Sequence, residues 1–171
     1  MSDDGEFTEL DSVANNANAE MPRSYHRGND SYGDYYNWHS ATAESYAGGT
    51  VVKTTDSICP NGWELPAGNT VSDDRSYFDL FVTAYDFMGG NGSGNAEVIR
   101  KIVQTPFKHV GSGMIREDGE LFYSNSIYVW TGTAFDNTRG RILHAAIGSD
   151  FIHTGDNYDK NLGAAIRCVK N

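Results

Sequence analysis

Cys59 and Cys168 are the chain's two cysteines, and they stand far apart in the sequence. Zinc needs about four nitrogen or sulfur ligands, usually in close pairs, and no CxxC or HxxxH spacing exists here. Two fates remain open for the thiols. One is a disulfide closing a long loop, which stabilises by several kcal/mol in the chain-entropy picture. The other is a pair of reduced thiols packed as small core residues. The five histidines, at positions 26, 39, 109, 144 and 153, are scattered, and none has a carboxylate or cysteine at a recognisable catalytic spacing. The nucleophile and metalloprotease motifs GxSxG, SxxK and HExxH do not occur. Asp156, Asn157, Asp159 and Asn161 present hard oxygen donors close together, as calcium prefers. An EF-hand loop would need glycine at another offset and a Glu at its twelfth position, so a solvated Asx-rich turn is the plainer reading. GGNGSGN, residues 89–95, follows a helical pattern and has no lysine after it, so it reads as a connector and not as a phosphate loop. No metal and no cofactor is assigned.

Whatever the chain does must therefore rest on elements that position side chains for contact. Its 171 residues are one domain's worth, and 39% hydrophobic and 12% aromatic content is enough for a real core. Abundant Gly and Asn point to many turns and short elements. With 13 basic residues against 23 acidic, the chain repels phosphate backbones, which argues against a nucleic-acid partner. No apolar run reaches the roughly 18 residues of a membrane span. MSDDGEFTELDS lacks the basic and apolar regions of a signal peptide.

Residues 1–24 read as a flexible acidic arm, or as a strand that adds to something else. Tyr36 to Tyr46 reads as a short helix, stopped by Gly48 and Gly49, and TVVKTT as a short strand. SICPNGWELPAG reads as a buried turn and strand entry with Trp63 and Leu65 on one face. Ser72 caps the best-specified helix, whose stripe is Tyr77, Phe78, Phe81, Ala84, Tyr85 and Met88. A shorter helix follows from Ala96 to Gln104, with Val98, Ile99, Ile102 and Val103 inward. Beyond Pro106 the period changes to two. GMIREDGELFYSNSIYVWTGT gives strands around an Asp118-Gly119 two-residue hairpin turn. RILHAAIGSDF and AAIRCVKN give two more strands, separated by the polar loop HTGDNYDKNLG. Helices first and an antiparallel strand run after them make an α+β domain. Trp63, Phe78, Phe81, Tyr85, Ile99, Ile127, Val129 and Ile166 are its expected core.

Three stretches, DYYNWHSATAESY, DSICPNGWELP and the terminal AAIRCV, together resemble the bacterial FISUMP family, the Fibrobacter succinogenes major paralogous domain. The resemblance covers residues 32 to 169, and CPNGWELP at 59–66 is its most specific block. It implies a C-type-lectin-like fold over residues 25–171: two helices on a small twisted antiparallel sheet, with N- and C-terminal strands adjacent. It also implies a staple between Cys59 and Cys168. After Trp130 the chain departs from the family pattern. Its mix of Phe, Asp, Asn, Thr, Arg, His, Ile and Tyr resembles the adenine-rewritten region of variable proteins of diversity-generating retroelements, which use the same fold. The region from 130 to 169 is then the candidate variable, ligand-binding region. The sugar-binding Glu-Pro-Asn and Trp-Asn-Asp motifs of calcium-dependent lectins are not in the chain.

The expected function is that of a non-catalytic binding module shown on a cell envelope, a virion surface or outside the cell, for a protein or glycan on a cell surface. Phe135, Arg139, Arg141, His144, Phe151, His153 and Tyr158 are the expected anchors, of the types that dominate hot spots. Asp136, Asn137, Asp150, Asp156 and Asn157 are the adaptable hydrogen-bonding partners. Two other classes compete. One is an enzyme like the formylglycine-generating sulfatase modifiers, which needs a reactive cysteine pair. The other is a structural surface protein that self-associates through its Tyr-rich segment.

Overall fold

A computed structural model describes residues 7–9, 23–26, 34–43, 54, 56–68, 76–85, 95–104, 108–116 and 118–170. The fold is α+β, with few helices and small antiparallel sheets. β1 (Phe7–Glu9), β2 (Arg23–His26) and β3 (Asp34–Tyr36) pair antiparallel in that order. α1 (Trp38–Ala41) follows at once. The Asn37 side chain caps it by accepting the Ser40 N–H at 3.0 Å, satisfying one of the donors a helix start leaves open. α1 is far shorter than the helix expected to run to Tyr46. Of the expected strand TVVKTT only Thr54 lies within the described residues, as do neither Ser72 nor most of GGNGSGN.

α2 (Tyr77–Tyr85) starts from Ser76, whose hydroxyl accepts the Asp79 N–H at 3.1 Å. Tyr77 and Phe81 are buried and Leu80 packs beside them, while Ala84 is exposed, against expectation. The side chains of Phe78 and Tyr85, both expected in the core, lie outside the described residues, as does Met88. α3 (Asn95–Ile102) turns Val98, Ile99 and Ile102 inward.

The hairpin of β5 (Met114–Ile115) and β6 (Leu121–Phe122) is wider than a two-residue turn. Arg116 N–H donates to Glu120 O at 3.0 Å and Gly119 N–H to Arg116 O at 2.9 Å. Arg116 and Glu120 therefore close the turn. Gly119 takes φ +83°, the left-handed position of a bulged hairpin, where a Cβ would be strained.

β7 (Ser126–Ala134), β8 (Arg139–Ala146) and β9 (Ile152–Asp159) form an antiparallel meander. HTGDNYDKNLG is thus mostly strand and not loop. Its polar side chains follow no hydrophobic alternation, but β8 supplies ladder partners from Arg139↔Asp159 to Ala145↔Ile152. Conversely, AAIRCVKN is a strand only at β10 (Val169–Lys170). Residues 163–165 instead run as a seam. Ala164 exchanges both backbone bonds with Tyr36, Gly163 does so with Ile115, and Ala165 O accepts from Trp130 N–H at 2.9 Å. β10 pairs with β4 (Trp63–Glu64), and among the described residues the N- and C-terminal stretches of the domain meet at the Tyr36–Ala164 bridge.

β7 is buried on both faces from Ile127 to Ala134, and its sequence accordingly carries no charged residue. Ile127, Val129, Leu143, Ala145 and Ile152 face α2 and α3. Tyr128, Trp130 and Ile142 face Trp38, Ala41, Met114 and Ala164. Two expected core residues sit elsewhere. Trp63 is 45% exposed: among the described residues β4 pairs with β10 alone, and the indole borders an open groove. Ile166 is half-buried at the rim of the second cluster. The first half of SICPNGWELPAG, with Ile58 also exposed, is surface; burial begins at Leu65. Cys59 and Cys168 are joined by a disulfide.

Candidate functional site

The expected contact residues divide between the two faces of β8 and β9. Because side chains alternate along a strand, Arg139 and Arg141 point away from Gly140, Ile142 and His144. In register, Arg141 stands opposite Asn157 and Ile142 opposite Asp156.

Phe135, Asp136, Arg139, Arg141 and Asn157 meet on the first face. The Arg139 guanidinium lies 4.6 Å from the centre of the Phe135 ring and that of Arg141 5.3 Å. Arg139 donates to both the Asp136 carboxylate, at 2.6 and 2.8 Å, and Asn157 Oδ1, at 3.1 Å. Asp136 also accepts the backbone N–H groups of Thr138 and Arg139. The Arg139 hydrogen bond, aided by these backbone donors, holds the Asp136 carboxyl well below the usual carboxylate range. Arg141 donates to Gly155 O at 2.6 Å. The short turn between β7 and β8 thus fixes a charged, aromatic patch whose members hold one another in place.

His144, Phe151, Asp156 and Tyr158 meet on the second face, and the structure adds Tyr128 and Tyr123. The rings form a ladder across the sheet. Tyr123 and Tyr128 lie 5.9 Å apart, Tyr128 and His144 4.3 Å, and His144 and Phe151 4.5 Å. His144 Nδ1 is 3.1 Å from Asp156 Oδ2, and Tyr158 stands edge-on to Tyr128. Burial opposes ionisation of Asp156, but the His144 contact, the Asn157 N–H and nearby His153 outweigh it and hold the carboxyl below its ordinary value. Burial, chiefly, raises the Tyr128 and Tyr158 phenols, so both keep their protons. This face is largely packing: Tyr128 and Tyr158 belong to the second core cluster or lean on it. Tyr123, 60% exposed and at φ +54°, is the most exposed ring among them, the others being buried or half-buried.

The remaining candidates are not gathered. Asn137 and Asp150 are exposed in the turns at opposite ends of β8, and His153 stands opposite His144. Nor do the Asx oxygens converge. Asp156 turns to His144 and Asn157 to Arg139, and among the described residues no three His, Cys, Asp or Glu side chains gather as for a metal. Tyr128 was legible in the alternation of SIYVW, since Ile127 and Val129 claim the other face. Lys160 carried no signal. Its fully buried ammonium donates to Asp136 O at 2.8 Å and Asn137 O at 3.2 Å, supporting the first patch from beneath.

Among the described residues, no helix is long and apolar enough to cross a membrane. In comparisons with family models, characterised proteins and solved structures, nothing matches this chain.

Proposed function

We propose that the chain is a binding module on a C-type-lectin-like scaffold, recognising a protein or glycan ligand at a cell surface through the patch of Phe135, Asp136, Arg139, Arg141 and Asn157. One observation carries this reading: two guanidiniums over a single phenyl ring, held by a carboxylate and an amide, with the Arg139 side chain 47% exposed at the β7–β8 turn. Arg and aromatic residues dominate hot spots, and preorganisation lowers the entropy that binding must overcome. The patch also falls within the 130–169 region that resembles a retroelement-diversified surface. The disulfide suits an oxidising, extracellular setting.

An array of cell-envelope glycans and surface proteins tests the reading. The parent chain should bind a subset, and Phe135→Ala with Arg139→Ala should lose at least about tenfold in affinity, or roughly 1.4 kcal/mol, with folding intact. Unchanged binding by that variant would move the recognition surface elsewhere. Sequencing the flanking DNA tests diversification separately, through a reverse transcriptase and a near-copy of the 3′ coding segment that differs at adenines.

A further inference from the structure

A groove of about 420 Å³ opens between β4, β10 and α2, away from the patch described above. Its walls are Trp63, Tyr77, Leu80, Arg167, Val169 and Lys170. That volume falls within the range of roughly 300–1,000 Å³ occupied by small-molecule sites. Three features are not explained by packing. Trp63 leaves 45% of its surface in solvent, whereas Trp38 and Trp130 are fully buried. Arg167 makes no ion pair among the described residues, although the chain carries 23 acidic side chains against 13 basic ones. Tyr77 is fully buried, yet its hydroxyl has no hydrogen-bond partner among the described residues.

We infer that this groove binds a small planar aromatic carboxylate. An exposed indole beside apolar Leu80 and Val169 offers a stacking wall for a ring. A planar guanidinium matches a carboxylate in a bidentate fork, and the Lys170 ammonium adds attraction at the same rim. An aromatic acid complements both halves of the lining, whereas a polar sugar acid leaves the apolar wall unused and a neutral ring leaves Arg167 unpaired. Burial raises the Tyr77 phenol, so the floor of the groove stays uncharged. Cys168 belongs to the same wall, and its bond to Cys59 pins the strand that carries Arg167 and Lys170. The site is preformed only while that bond is intact.

The test follows the three indole N–H signals of the full, oxidised chain by nuclear magnetic resonance while 2-naphthoate is added. A saturable shift of Trp63, with Trp38 and Trp130 unmoved, is expected. The neutral 2-naphthylmethanol should bind about tenfold more weakly or worse, Arg167→Gln should weaken the acid to the same degree, and reduction of the disulfide should weaken it too. The inference is overturned if acid and alcohol bind alike, if glucuronate binds more tightly than naphthoate, or if millimolar acid leaves Trp63 unshifted.

Discussion

The Lys160 ammonium lies 4.5 Å from the centre of the Trp38 ring, inside the protein, with its side chain closed to solvent. It also donates to the carbonyls of Asp136 and Asn137. One lysine therefore ties α1 to the turn that shapes the Arg–Phe patch. Trp38 is held from the other side, where Gly140 packs so closely that a Cβ would come within 2.4 Å of its ring.

Lys160→Met keeps most of the volume and removes the charge and the donors. A hydrogen bond to a charged group contributes about 1.5–3 kcal/mol; two are lost along with the cation–π contact, and water reaching the part-buried turn carbonyls offsets some of that loss. Urea unfolding should show a loss of about 3 kcal/mol. A loss below about 1 kcal/mol would mean that the turn holds itself.

The disulfide joins two cysteines 109 positions apart. In the chain-entropy picture a loop of that order stabilises by about 4–5 kcal/mol. Intact-mass spectrometry of the oxidised protein should show two hydrogens fewer than the reduced chain, and reduction should lower the unfolding midpoint accordingly. Two alkylatable thiols in native protein without reductant would contradict the pairing.

The regular helices were legible because their apolar periods are strong, and β7 because SIYVW alternates between two buried clusters. β9 was not. Residues 153–159 carry no alternation, so the strand exists by virtue of its ladder with β8, a long-range pairing that no local window contains. The same holds for the candidate site. Residue types singled out Arg139 and Phe135, which the structure brings together, but their division from His144 and Tyr158 depends on strand parity, which is invisible in a stretch read as loop. Trp63 failed for the opposite reason. A large apolar side chain was expected inside, yet its strand ended beside an open groove.

His109 supplies a pH-dependent element of stability. Burial, helped by the positive charge of Arg167, pushes its imidazole down to about 3. The unfolded chain takes up that proton near pH 6.5, so unfolding binds protons between about pH 6.5 and 3. The contribution of this residue is full above the unfolded value and is lost as pH falls through that window. Between pH 7 and 5 the residue should remove about 2 kcal/mol of stability. His109→Gln should flatten the profile over that interval whatever its effect at neutral pH, and an unchanged slope would count against the buried neutral state.

Arg139 and Tyr158, both expected as contact residues, should behave differently when removed. The Arg139 side chain is 47% exposed and its ion pair with Asp136 is at the surface. Such pairs are worth little, about 0–1 kcal/mol, so Arg139→Ala should melt within a few degrees of the parent. Tyr158 packs on the second core cluster, edge-on to both Tyr128 and His144. Complete truncation of a buried aromatic costs about 3–5 kcal/mol, and this half-buried ring should cost about 2 kcal/mol. Binding should divide the opposite way. Arg139→Ala should lose affinity for the array-identified ligand at full folding, while Tyr158→Ala should bind normally per folded molecule at a temperature where it remains folded. If Arg139→Ala unfolds the domain or Tyr158→Ala alone abolishes binding, the second face is the recognition surface and the Arg–Phe patch is a structural clasp.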